Sequence, residues 1–281
     1  MEVRVARHAG VCYGVERALK LANEAADSGG RVRTLGPLIH NPQAVEALTA
    51  RGIELAVGLN DVADGTLVIR THGVDPAIIA AARDKGLDVV DATCPFVSAA
   101  HECASRLAAN GYSVVIVGEP DHPEVAGILA YAGPDAIVVE EVGDIPARLA
   151  RRKVGVVVQT TQAMSRLTEI VAALLPRVSE LKVCNTICSA TSKRQASAEE
   201  LAGSVDVIVI VGGHNSGNTT RLAEICRAAN PRTYHVETAD ELDPAWFAGG
   251  STVGVTAGAS TPDAQMRGVI DAIEALDHDG A

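Results

Sequence analysis

Aromatic side chains are scarce in this chain of 281 residues: they make up 2% of it, namely Phe96, Phe247, Trp246 and four tyrosines. A surface that reads single-stranded nucleic acid by base stacking is thereby excluded. Positive charge is short as well, with 24 Lys and Arg against 35 Asp and Glu for a net charge of -11. No basic stripe that would hold a long polyanion is present. No apolar run approaches the roughly 18 residues of a membrane-spanning helix, and MEVRVARHAG lacks the basic-then-apolar order of a signal peptide. The chain therefore reads as cytoplasmic. Nucleotide motifs are missing too: GxxxxGK[ST] is absent and VGGHNSGNTT lacks the dinucleotide spacing, so neither ATP nor a nicotinamide is supported.

What is present is aliphatic, and 47% of the residues are hydrophobic, enough to build a core for each of several small units. Short Val/Ile runs recur at 3–6, 67–69, 114–117, 154–158, 205–211 and 252–256. Between them lie Ala/Leu/Glu/Arg-rich stretches such as Val15 to Ala26, where Ala18, Leu21, Ala22 and Ala25 share one helical side. Continuous apolar strands alternating with helices indicate an α/β fold with mainly parallel sheets buried on both faces.

The chain repeats itself in spacing. Cys12, Cys94 and Cys188 each follow an extended segment (EVRVARHAGVC, LDVVDATC, LKVCNTIC), and 28 residues beyond each lie His40, His122 and Ser216 in Gly-containing loops. A third polar loop follows 60, 66 and 72 residues past each cysteine, with His72, Thr160 and Ser260. Three pseudo-repeated α/β units follow from these offsets, 1–94, 95–187 and 188–281. Each repeat of the spacing gives one thiol and two polar loops at the carboxyl ends of its strands, where open parallel sheets bind ligands. Arranged as a trefoil, three such edges make one central site.

Three cysteines from three units, none in a CxxC pair, do not match a structural zinc site. They suit a group with three protein ligands and one open position, for which an iron–sulfur cluster is the natural candidate; packing in cores is the alternative. Cys103, Cys184 and Cys226 are assigned to packing, and all cysteines of a cytosolic chain are expected as thiols. The loop residues His40, Asn41, His72, His122, Thr160, Thr161, Ser216, Asn218, Ser260 and Thr261 are neutral or switchable hydrogen-bonding groups. Several stand where a helix is about to start, which lets an acidic protein bind phosphate or diphosphate without a lysine patch. Taken singly, each is also an ordinary cap or turn residue. Glu124, two residues after His122, is either a first-turn acid or a proton donor raised by burial.

These residues lie in HAGVCYGVERA, LGPLIHNPQ, THGVDP, VDATCPFV, HPEV, QTT, NTIC, NSGNT and GASTP, in that order along nearly the whole chain. The set resembles the family of 4-hydroxy-3-methylbut-2-enyl diphosphate reductases (the LytB family), which act last in the methylerythritol phosphate route to isoprenoids. The resemblance implies a [4Fe-4S] cluster on Cys12, Cys94 and Cys188, and a diphosphate pocket from His40, His72, His122, Ser216, Asn218 and Ser260. It further implies Glu124 as the acid, Thr160 in the proton relay, a ferredoxin or flavodoxin as electron donor, and isopentenyl and dimethylallyl diphosphate as products. One departure is Gly217, where relatives often carry a second serine. A quinolinate-synthase-like dehydratase is a rival, but it needs a carboxylate pocket and the site loops offer few arginines.

Overall fold

In the computed structural model, which describes residues 1–278, the apolar runs form strands and the stretches between them helices. The described residues contain three four-stranded sheets, every pairing parallel. One is built from β2 (Val32–Leu35), β3 (Ile53–Ala56), β4 (Thr66–Ile69) and β5 (Asp88–Asp91), in the spatial order β3-β2-β4-β5. A second takes β6 (Ser113–Val117), β7 (Ile137–Val139), β8 (Lys153–Val158) and β9 (Glu180–Cys184) in the order β7-β6-β8-β9. The third holds β10 (Val207–Val211), β11 (Thr233–Val236) and β12 (Thr252–Ala257) in the order β11-β10-β12. Its fourth place is filled by β1 (Glu2–Val5), with Glu2 opposite Thr252 and Val5 opposite Val255.

The order second, first, third, fourth thus occurs three times, with the chain's first strand completing its last sheet. This differs from the division expected at 1–94, 95–187 and 188–281: strand β1 ahead of Cys12 belongs to the sheet of the C-terminal segment. By internal contact density the chain separates into two compact units. One contains residues 1–15, 40–46 and 189–281, with the third sheet; the other contains 16–39 and 47–188, with the first and second sheets.

The middle strands are apolar on both faces because helices cover both. Every residue of β6 and β10 is buried, and each large aliphatic side chain so enclosed contributes about 1.5–3 kcal/mol. Helices α1 (Tyr13–Asp27), α2 (Pro42–Ala50), α3 (Pro76–Asp84), α4 (Pro95–Ala109), α5 (Pro123–Tyr131), α6 (Met164–Leu174), α7 (Ser189–Ala202), α8 (Gly217–Ala229) and α9 (Asp263–His278) supply that cover. On α1 the buried residues Val15, Ala18 and Ala22 fall at helical spacing. None of the described helices is long and apolar enough to cross a membrane.

The cysteines divide differently from expectation. Cys226 is fully buried in an aliphatic core, and burial pushes its thiol up to about 12. Cys103 and Cys184 also pack in one core, but they are joined as a disulfide, with Cα atoms 6.7 Å apart, rather than standing as two thiols. Their 81-residue separation hides the fact that β9 and α4 converge on the same core.

Candidate active site

Parallel strands place their carboxyl ends on one edge of each sheet, and the expected site residues lie on the loops that leave it. Cys94, Cys188 and Cys12 follow the fourth strand of each sheet, β5, β9 and β1. His40, His122 and Ser216 follow β2, β6 and β10, whereas His72, Thr160 and Ser260 follow β4, β8 and β12. The loops after β3, β7 and β11 carry none of them.

One hydrogen bond recurs in all three repeats. The amide N–H of Cys94 donates to the Thr71 carbonyl at 2.9 Å, that of Cys188 to Thr160 at 3.0 Å, and that of Cys12 to Ala259 at 3.1 Å. Each cysteine is thereby pinned to the loop leaving the third strand, at or next to His72, Thr160 and Ser260. All three are outside any disulfide and half-buried.

Within the larger unit the expected residues form a connected series. The His72 and His122 rings meet edge to face with centroids 5.5 Å apart. His122 caps α5 by accepting the Glu124 backbone N–H on Nδ1 at 3.1 Å. When neutral, this imidazole therefore carries its proton on Nε2, a donor suited to an anion. The Glu124 carboxyl is 2% exposed and accepts both the Thr160 N–H at 2.6 Å and the Thr160 hydroxyl at 2.9 Å. Burial raises it to about 7; the two Thr160 bonds oppose that shift and the nearby Glu119 charge adds to it. A carboxyl so placed holds or releases a proton near neutral pH.

Sequence reasoning missed some supports of this series. The buried Gln159 accepts from the Glu119 N–H at 3.0 Å and donates to the Thr161 hydroxyl at 2.9 Å, coupling the loops after β6 and β8. Thr186 accepts the Val158 N–H at 3.0 Å and donates to the Val158 carbonyl, closing the turn into Cys188. Gly73 turns the chain after His72 with φ +71°, and a methyl there would lie 2.5 Å from His101 Cε1. The signal for Gln159 and Thr186 was their place inside QTT and NTIC.

In the smaller unit the polar residues sit on β10, β12 and the start of α8. Ser216 caps α8 by accepting the Thr219 N–H at 3.4 Å, and Gly217 is the first residue of that helix. The loop carrying Ser260 is held by Thr261, whose buried hydroxyl donates to the Val211 carbonyl at 3.1 Å. The loop of Cys12 is held by Arg194, which donates to the Gly10 carbonyl at 2.7 Å. The His40 carbonyl lies 3.2 Å from where a side chain on Gly213 would begin. Asn218 is 6% exposed, yet neither atom of its amide has a hydrogen-bond partner among the described residues. A buried amide left in that state costs stability, and it suits a ligand that both accepts and donates.

With this geometry in place, comparison with known proteins is decisive. The LytB protein family matches residues 3–274. The chain belongs to the LytB family. The 4-hydroxy-3-methylbut-2-enyl diphosphate reductase of Geotalea uraniireducens is 48% identical over 280 residues, covering 99% of each chain. That of Aquifex aeolicus is 50% identical over 267 residues, covering 94% of this chain and 92% of its own. A solved structure of (E)-4-hydroxy-3-methyl-but-2-enyl diphosphate reductase, the terminal enzyme of the non-mevalonate pathway, superposes with TM-score 0.74 at 49% identity over 98% of this chain and 99% of its own. The reductase structure from Plasmodium falciparum gives TM-score 0.90 at 26% identity, covering 96% and 87%. This LytB chain is thus an oxidoreductase with an α/β fold.

Proposed function

We propose that the chain catalyses reductive dehydration of (E)-4-hydroxy-3-methylbut-2-enyl diphosphate to isopentenyl and dimethylallyl diphosphate. Cys12, Cys94 and Cys188 would hold a [4Fe-4S] cluster in this reading; their donor set fits, being three thiols outside any disulfide and pinned alike at equivalent repeat positions. When bound, such a cluster supplies electrons one at a time and a Lewis-acidic iron that three thiolates leave open. The reading is supported by near-full-length relatives bearing this name. The observation that carries its chemistry is the buried Glu124 carboxyl, held by Thr160 and raised to about 7.

An alcohol is a poor leaving group, and the substrate hydroxyl must depart as water. Glu124 supplies the proton from its carboxyl, and Thr160 holds that carboxyl while its own hydroxyl orders the relay. His122, with its proton on Nε2, donates to the diphosphate together with His40 and His72. Ser216, Asn218 and Ser260 complete the diphosphate contacts, and the Asn218 amide gains the partner that the protein does not provide. At Gly217 only the backbone is available where relatives often place a serine hydroxyl. The two electrons come from a ferredoxin or flavodoxin, and the second proton completes the hydrocarbon product.

Anaerobically purified protein given reduced viologen and the hydroxymethylbutenyl diphosphate is expected to consume it and release both alkenyl diphosphates. It should carry about four irons per chain, and Cys94→Ser should lose them. A colourless protein with stoichiometric zinc, or no turnover by the iron-loaded protein, overturns the assignment.

A further inference from the structure

The disulfide between Cys103 and Cys184 has no part in the reaction derived above, yet its surroundings are those of an exchangeable pair. We infer that Cys103 and Cys184 form a second redox site, a dithiol that exchanges with small thiols and disulfides through the Cys184 sulfur, Cys103 being the sulfur that leaves.

The two cysteines differ in exposure. Cys103 is 3% exposed, on the inner face of α4 among Ala100, Ala104 and Leu107. Cys184 is half-exposed at the end of β9, and β9 is the edge strand of its sheet. An attacking thiolate must approach along the S–S axis, so the sulfur with open space behind it is attacked and the enclosed one leaves. Lys182, two residues earlier on β9 and so on the same strand face, is exposed and adds positive charge along the approach.

The leaving sulfur is equally well provided for. Arg106, one helical turn beyond Cys103, points an Nη2–H at its Sγ from 3.6 Å. A guanidinium in that position stabilises the thiolate that departs, and a thiol whose anion is stabilised leaves faster. In the reducing direction a thiolate RS⁻ attacks Cys184 Sγ, the S–S bond breaks, and Cys103 leaves as a thiolate beside Arg106. A second RS⁻ then attacks the sulfur of the RS group on Cys184, releasing RSSR and the Cys184 thiolate. Two protons taken up by the protein sulfurs complete the dithiol. The protein pair gains two electrons and the two small thiols lose them. Oxidation runs the same steps backwards, with a low-molecular-weight disulfide as the oxidant.

The experiment uses glutathione buffers of graded ratio on the whole protein, with acid quenching, alkylation and mass spectrometry of peptides. A peptide pair linked through Cys103 and Cys184 is expected to rise and fall as a two-electron couple. Arg106→Gln should slow its reduction by about tenfold, the scale expected for losing a charge contact to the leaving thiolate. Cys103→Ser should collect glutathione on Cys184, whereas Cys184→Ser should leave Cys103 unmodified in folded protein. A pair that stays unlinked at every ratio overturns the inference. So does a Cys103 that takes glutathione as readily as Cys184. Because the readout is thiol state, it stands apart from the iron and turnover measurements on which the proposed function depends.

Discussion

The two compact units bring different chemistry to their sheet edges. In the larger one a series of polar groups satisfy one another: His122 caps α5, Glu124 accepts twice from Thr160, and Thr160 accepts from Cys188. In the smaller one Ser216 makes a long cap bond and the buried Asn218 amide makes none among the described residues. One edge is built to hold a proton at a defined atom before any ligand arrives. The other carries a buried amide that no described residue satisfies, a state that a bound diphosphate would relieve under the proposed function. A carboxyl that must stay protonated near neutrality needs a dry, organised surround, whereas an anion site needs donors with nothing else to bind.

The strongest way to break this contrast is Glu124→Gln. Turnover is expected to fall by about 10²- to 10⁴-fold, the usual worth of a positioned proton donor, while iron content and substrate affinity stay as they are. Steady-state rates beside equilibrium binding decide it, and unchanged turnover removes Glu124 from the reaction. In the wild type, activity should decline as pH rises through about 7, because the donor form is the protonated one.

A second test reads stability. The Glu124 carboxyl sits near 4.5 when unfolded and about 7 when folded, so the native state holds this proton over a range where the unfolded chain has lost it. Stability must therefore drop as pH rises from about 4.5 to 7, by about 3 kcal/mol for a shift of this size. Urea unfolding at pH 5 and pH 8 should show that drop in the wild type and not in Glu124→Gln. Equal drops in both would mean the native carboxyl is already ionised.

The smallest effect belongs to the other unit. Asn218→Ala should weaken diphosphate binding by about ten- to a hundredfold, the worth of a hydrogen bond to a charged group. It should cost no thermal stability, since no protein bond is lost, and should leave the pH profile untouched. A lowered melting temperature with unchanged affinity would show the amide to be a structural group instead.

The parts of this molecule legible from sequence were those with continuous hydrophobicity or local spacing. The runs at 114–117, 154–158 and 205–211 are buried strands β6, β8 and β10. Edge strands were harder. β3 (IELA) and β11 (TYHV), each at a sheet edge, mix polar and apolar residues with only their end residues buried, and the inner strand β2 (VRTL) is only four residues long with an arginine in it. The site loops were legible because each leaves the same edge in each repeat, so offsets along the chain carry geometry. The Cys103 disulfide was not, nor the pairing of β1 with β12, since both depend on segments far apart in sequence.

That last pairing has a consequence for how the protein is made. Residues 2–5 are made well before their partner strand at 252–257, so they wait through the synthesis of everything between as an unpaired sheet edge. The short EVRV segment, in which charged residues alternate with valines, makes that wait tolerable by offering other chains little to stack on. Cys12 hangs on the loop that follows, and the Ala259 carbonyl that pins it is made long after it. Of the three equivalent thiols, the one nearest the N-terminus is therefore the last to reach its position, and any group that needs all three can be gripped only after residue 259 has been made.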